Sequence, residues 1–199
     1  MIRYVLAVLL VASPVAAHAE DPTRGLELWS KIHQVFSHPR CANCHVGTDR
    51  VPMWSGPEYG PAPRPHGMNI SAKDGDDKDG DDKGSHFLAC TTCHMKQSSD
   101  TPHGPPGATS LLDGAAEWLL APVEMQWFGK SSAEICAQVK NPKSNGGRTI
   151  GDLVHHVETE PLVLWAWTVE PKRRPPLSSG ELGKLIEEWG AAGAPCPEK

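Results

Sequence analysis

The sequence predicts a mainly α fold, with short helices and long ordered loops, and three features carry that expectation. Apolar residues recur at helical spacing behind N-capping signals in four places. Proline and glycine, 19 of each in 199 residues, crowd the connections between those places. The pattern C-x-x-C-H occurs twice, with Cys41, Cys44 and His45 in "CANCH" and Cys90, Cys93 and His94 in "CTTCH", so the loops have two fixed points to wrap.

The N-terminal stretch "MIRYVLAVLLVASPVAAHAE" places Arg3 before an apolar run and ends in Ala17-His18-Ala19, a small-x-small cleavage pattern. It reads as a secretory signal peptide over residues 1–19. The run is broken by Ser13 and Pro14 and falls short of the roughly 20 apolar residues of a spanning helix, so no stable membrane insertion is expected after cleavage. The remaining chain, 20–199, is expected to form one unit. A formal charge of −5 gives no basic character that argues for nucleic acid or anionic lipid.

A first helix is expected from about Asp21 to Phe36, with Asp21 as N-cap, Pro22 at the first helical position, and Leu28, Ile32, Val35 and Phe36 on one face. Residues 51–65, "VPMWSGPEYGPAPRP", hold too much proline and glycine for regular structure, and Met53, Trp54 and Tyr59 call for an ordered loop that buries them. The polar run "KDGDDKDGDDKG" at 73–84 lacks the spaced ligands and closing glutamate of an EF-hand, so it reads as a solvated insert rather than a calcium site. Residues 111–120 suit a short helix. Ser131 and Glu134 form a capping box ahead of the next helix, another runs from about Thr149 to Glu158 and stops at Pro161, and the last follows Ser178 and Glu181 with Leu182, Leu185, Ile186 and Trp189 on one face.

The two C-x-x-C-H units carry the chemistry. Two thiols two residues apart with an imidazole directly behind are the attachment pattern of a c-type haem, in which the cysteines form thioethers and the histidine ligates iron. A dithiol redox pair would need a βαβ context, and a zinc site built on the four thiols would leave two identically placed histidines unexplained. Two covalent haems are therefore expected, on Cys41, Cys44, Cys90 and Cys93, with His45 and His94 as proximal ligands, in a cytochrome c-like arrangement of helices and loops. The 44 residues between His45 and Cys90 include the polar insert, so the first haem is not expected to own a complete domain. Cys136 and Cys196 are left over, and in an oxidising compartment they are expected to form a disulfide, the alternative being two separate buried thiols.

Function turns on the sixth position of each iron, because a closed iron carries electrons and an open one binds small molecules. Between the motifs stand His66 and Met68, with Met53 and His86 behind them; Met68 is the first choice for the first haem and His66 the alternative. For the second haem Met125 is preferred narrowly over His156, which lies nearer the apolar arc of its helix than His155 does. His33, His38 and His103 read as solvated or capping residues, with His38 near enough to the first motif to contact a propionate. The seven tryptophans suit a shell around flat cofactors.

The stretches "HPRCANCHVGTD", "PHGMNI", "CTTCH", "LAPVEMQWFGKSSAEICAQVKNPKSNGGR", "LVLWAW" and "GAPCP" together resemble a group of small secreted dihaem c-type cytochromes of proteobacteria, some labelled as companions of isoquinoline oxidoreductase-like molybdenum enzymes. The resemblance covers most of the chain after residue 19 and implies two-haem electron transfer in the periplasm. It brings forward Cys41, Cys44, His45, His66, Met68, Cys90, Cys93, His94, Met125 and His156. The Asp-rich insert departs from it. The expected role is an electron carrier between a periplasmic dehydrogenase and a downstream cytochrome or oxidase, with no substrate chemistry of its own. A dihaem peroxidase or oxidase with one open iron is the alternative, although such enzymes are usually much longer, and a haem-based gas sensor would need an output domain. The basic stretch "EPKRRPP" at 170–176 offers a place to steer an acidic partner, or is a solvated loop.

Overall fold

A computed structural model describes residues 21–56, 62–67, 70–72, 84–85, 88–94 and 119–198. The expected signal peptide, the body of the Asp-rich insert, Tyr59, Met68, His86, His103 and residues 111–118 lie outside them. Among the described residues the fold is mainly helical: α1 (Pro22–Phe36), α2 (Pro39–Ala42), α3 (Ser132–Lys140), α4 (Ile150–Thr159), α5 (Pro161–Leu164) and α6 (Ser179–Ala191). Two small antiparallel ladders accompany them, β1 (Met53–Trp54) with β2 (Arg64–Pro65) and β3 (Gly84–Ser85) with β4 (Leu88–Ala89).

The helix starts follow their local chemistry. The Asp21 carboxylate accepts from the Arg24 N–H, and Pro22 fills a position whose N–H has no intrahelical partner. Ser131 with Glu134, Thr149 with Asp152 and Ser178 with Glu181 each form complete reciprocal capping boxes. The stretch 51–65 departs from the expected loop, because Met53 and Trp54 pair with Pro65 and Arg64 across it. A two-residue ladder tolerates Pro65 because it asks few N–H donors of that strand. Residues 161–167 form α5 and a 3-10 turn over Trp165–Trp167; Pro161, which ends the pattern of α4, opens the next helix at its N1 position.

Helix α6 packs against both α1 and α4, and α3 closes on α1. At the centre Trp29 and Trp189 meet at 5.1 Å between ring centroids, surrounded by Ile32, Val35, Ile135, Leu182 and Ile186, all essentially inaccessible. Each such aliphatic side chain contributes about 1.5–3 kcal/mol of transfer free energy. Both indole N–H groups are satisfied, Trp29 donating to Ser132 Oγ and Trp189 to the Pro195 carbonyl. Close approach is set by small residues, since a Cβ on Gly190 would fall 2.7 Å from Ile150 Cγ2 and one on Gly25 would collide with the Pro195 ring. Cys136, fully buried in α3, is bonded to Cys196, with 5.6 Å between the Cα atoms, so the tail is tied to the core as expected.

Every buried residue of this main core lies in 28–42 or 125–194. Cys41 packs against it, whereas Cys44 packs against a second, smaller cluster of Val46, Ala72 and Leu120. The first motif therefore sits at the seam between two apolar groups. Among the described residues the second motif belongs to neither cluster.

Candidate cofactor site

The first motif begins in α2, a single turn capped by His38, whose Nδ1 accepts from the Arg40 N–H at 3.2 Å. The chain continues in helical sense, with the Cys44 N–H donating to the Cys41 carbonyl (3.2 Å) and the His45 N–H reaching the carbonyls of Cys41 and Ala42. Residues three apart on such a turn share a side, which sets the two thiols for a common cofactor edge. The outer carbonyls are taken up by neighbours: Asn43 by the Met53 N–H, Cys44 by Ala121, and His45 by both Trp127 and Phe128.

The imidazole of His45 is held on two sides. Its Nδ1 lies 2.8 Å from the Met125 carbonyl, at the end of a 3-10 turn over Val123–Met125, and the Trp127 indole stacks on its face at 3.6 Å and 3°. Trp127 is in turn stacked on Phe36 of α1 at 4.5 Å. Burial, the largest cause, holds the imidazole well below its ordinary value, at about 4, so the ring is neutral at physiological pH. A neutral ring that donates from Nδ1 to a carbonyl keeps its lone pair on Nε2. That is the tautomer a metal ligand needs, and the carbonyl is the kind of outer partner that fixes it.

Both cysteines of this motif keep part of their surface, yet protein fills most of the space around the sulfurs. That burial, reinforced at Cys41 by the Cys44 charge, pushes the thiols up to about 12 at Cys41 and about 11 at Cys44. A dithiol redox centre works through a thiolate with a depressed value. Cys90 adds to the rise at Cys44, and the two motifs lie near one another through His66, which bonds Pro52 and meets His94.

The second motif repeats the turn of the first. Cys90–Thr92 forms a 3-10 turn directly after β4, Cys93 N–H donates to the Cys90 carbonyl at 3.2 Å, and His94 N–H donates to the same carbonyl at 2.9 Å. Cys93 is exposed and Cys90 half-buried, and all four motif cysteines are free thiols. His94 faces His66, with ring centroids 6.0 Å apart and planes at 56°. His66 follows β2, its backbone N–H donates to the Pro52 carbonyl, its Nδ1 lies 2.7 Å from the Gly67 carbonyl, and Trp54 meets its ring edge-on.

The candidates for the sixth positions thus divide differently from their order in the chain. His66, expected beside the first motif, meets the histidine of the second. Met125, expected beside the second, is buried in the main core and supports His45 of the first. Its carbonyl binds Nδ1 and leaves Nε2 on the opposite side, so the residue stands behind the His45 imidazole. His156 of α4 is half-buried, and burial holds it down at about 4, so it too is neutral at physiological pH. His155 points outward and is exposed, as the helical arc implies. Among the described residues no three His, Cys, Asp or Glu side chains converge as a metal-binding group.

Trp127 escaped the sequence reading as a site residue, and the support from the Met125 backbone was unreadable, because every residue carries a carbonyl. Arg40, next to the first motif, was also missed; its guanidinium lies 3.8 Å over the Trp165 ring and donates from Nε to the Ala166 carbonyl. In the basic stretch Lys172 pairs with Glu170 at 3.3 Å and Arg174 donates to the Val169 carbonyl, so part of its charge is used locally.

The residues fit a covalent haem. At the first motif free thiols stand on one turn with the neutral His45 imidazole, and a cavity of about 440 Å³ with a mixed lining that includes Val46, Thr48, Asp49, Met53, Gln126 and Phe128 lies directly after it in the chain. The buried Trp127 indole N–H beside it finds no acceptor among the described residues, a donor suited to a propionate. No family model, curated protein or solved structure matches the chain.

Proposed function

We propose that this chain is a periplasmic dihaem c-type cytochrome that carries electrons between a dehydrogenase and a downstream cytochrome or oxidase. The observation that carries the reading is the repeated local geometry: both C-x-x-C-H units fold into one turn in which the histidine N–H returns to the carbonyl of the first cysteine. Haems held on these residues would supply the one-electron chemistry.

The protein supplies attachment, orientation and insulation. Cys41 and Cys44, then Cys90 and Cys93, anchor a macrocycle each, so the second site needs no deep pocket of its own. The Met125 carbonyl and the Trp127 face hold His45 in one tautomer and one plane, which leaves little to reorganise when the charge on the iron changes. The neighbouring positions of Cys44 and Cys90 favour transfer between the two centres. No helix among the described residues is long and apolar enough to cross a membrane.

The test uses the protein exported and matured by a host that attaches c-type haem. A pyridine haemochrome assay is expected to give two haems per chain, and electron paramagnetic resonance on the oxidised protein two low-spin signals. A chain that matures with no haem sinks the reading. A persistent high-spin signal from one haem refutes the simple carrier and calls for a peroxidase assay.

A further inference from the structure

We propose that His66 and His94 are the two axial ligands of one iron, so that the second haem is bis-histidine and takes its distal ligand from the residue directly after β2, beside the first motif. This rests on the dihaem reading and deepens it. An imidazole nitrogen sits about 2.0 Å from a first-row metal that it ligates and about 1.2 Å from its own ring centre. Two imidazoles on opposite sides of one ion therefore have centroids about 6.4 Å apart, and those of His66 and His94 are 6.0 Å apart. The same separation occurs in ordinary ring contacts, so the orientation of His66 has to distinguish the two.

That orientation is built. His66 Nδ1 lies 2.7 Å from the Gly67 carbonyl, which takes a donated proton and places the lone pair on Nε2. His45 shows the same arrangement toward the Met125 carbonyl. The backbone of His66 is anchored by its bond to Pro52, directly after the Met53–Pro65 and Trp54–Arg64 pairs, and Trp54 abuts the ring edge. A histidine with backbone, tautomer and ring plane each fixed, set opposite the proximal histidine of a C-x-x-C-H unit, has the properties of a ligand. With that position filled by His66, Met125 keeps the role its carbonyl shows, as the partner of His45.

The experiment compares the matured holoprotein with His66→Ala, His94→Ala and the double variant, using electron paramagnetic resonance and haem content. Each single variant is expected to lose one of two low-spin signals, of bis-imidazole type, and added imidazole to restore it in His66→Ala. The double variant is expected to keep the other signal unchanged, because both residues serve one iron. If His66→Ala keeps both low-spin signals, the ring contact is only a contact and the proposal fails. If the double variant loses both signals, His66 serves the first haem and the proposal fails. Should the double variant not mature, a Cys90→Ala/Cys93→Ala chain decides: its single haem is expected to be indifferent to His66→Ala, and a low-to-high-spin change there overturns the assignment. Wild-type protein with no haem refutes the dihaem reading itself, an outcome separate from these.

Discussion

Replacing Cys136 and Cys196 together by alanine tests how this fold holds its C-terminal third. The bond spans 60 positions and closes a loop containing α4, α5 and α6. In the chain-entropy model, closing a loop of that length removes about 4 kcal/mol of unfolded-state freedom at 25 °C. The native tail has other holds: the Trp189 indole donates to the Pro195 carbonyl, the Ala194 N–H returns to the Trp189 carbonyl at 2.8 Å, and Pro195 lies against Gly25. The double variant is therefore expected to fold to the same structure, with the loss falling on the unfolded side. Removing two sulfurs from a packed site adds on the order of 1 kcal/mol. Urea unfolding followed by far-ultraviolet circular dichroism reads this directly, since an m-value of about 2 kcal/mol/M converts the combined loss of about 5 kcal/mol into a midpoint lowered by about 2.5 M. A drop under about 0.5 M would refute the loop-closure account, because the unfolded chain would then already be constrained across this span.

Met125→Leu keeps the backbone carbonyl and the approximate volume, so two low-spin haems and a cost under about 1.5 kcal/mol are expected; loss of a low-spin signal would make the thioether a ligand. Trp127→Ala removes the face of His45 and the contact to Phe36, and is expected to destabilise by about 3–5 kcal/mol and to broaden the spectrum of the first haem. Gly190→Ala meets Ile150 at 2.7 Å, and an overpacking cost of about 1–3 kcal/mol should exceed the gain in helix propensity of about 1 kcal/mol, giving a lower melting temperature. Hydrogen bonds from the Ser131 backbone and hydroxyl hold the Glu134 carboxyl down at about 2 against its ordinary 4.5. Its contribution is thus present above 4.5 and lost as the pH falls toward 2, so the melting temperatures of wild type and Glu134→Gln should differ at neutral pH and converge across that window.

Much of the framework was legible in residue order. Asp21-Pro22 and the pairs Ser131/Glu134, Thr149/Asp152 and Ser178/Glu181 mark helix starts because a cap acts over three or four residues and needs nothing distant. The helical arc that turns His155 outward and His156 inward is equally local. The ladder of Met53–Trp54 with Arg64–Pro65 was not legible, since strands of two residues carry no periodicity. Nor was the helix opened by Pro161, because proline reads equally as the stop of one helix and the first position of another.

The candidate site divides along the same line. Residue type and spacing alone single out Cys41, Cys44, His45, Cys90, Cys93 and His94, since a thioether pair and its adjacent imidazole are constrained within five consecutive residues. They also leave Cys136 and Cys196 to each other, and the fold joins them. Tertiary structure alone decides which distant groups meet those motifs: the Met125 carbonyl and Trp127 at His45, and His66 at His94. Proximity along the chain suggested the reverse allocation. Distant partners are chosen by where the chain crosses in space, and in this chain the β1–β2 ladder sets His66, directly after β2, against the second motif while α1 and the 3-10 turn at Met125 enclose the first.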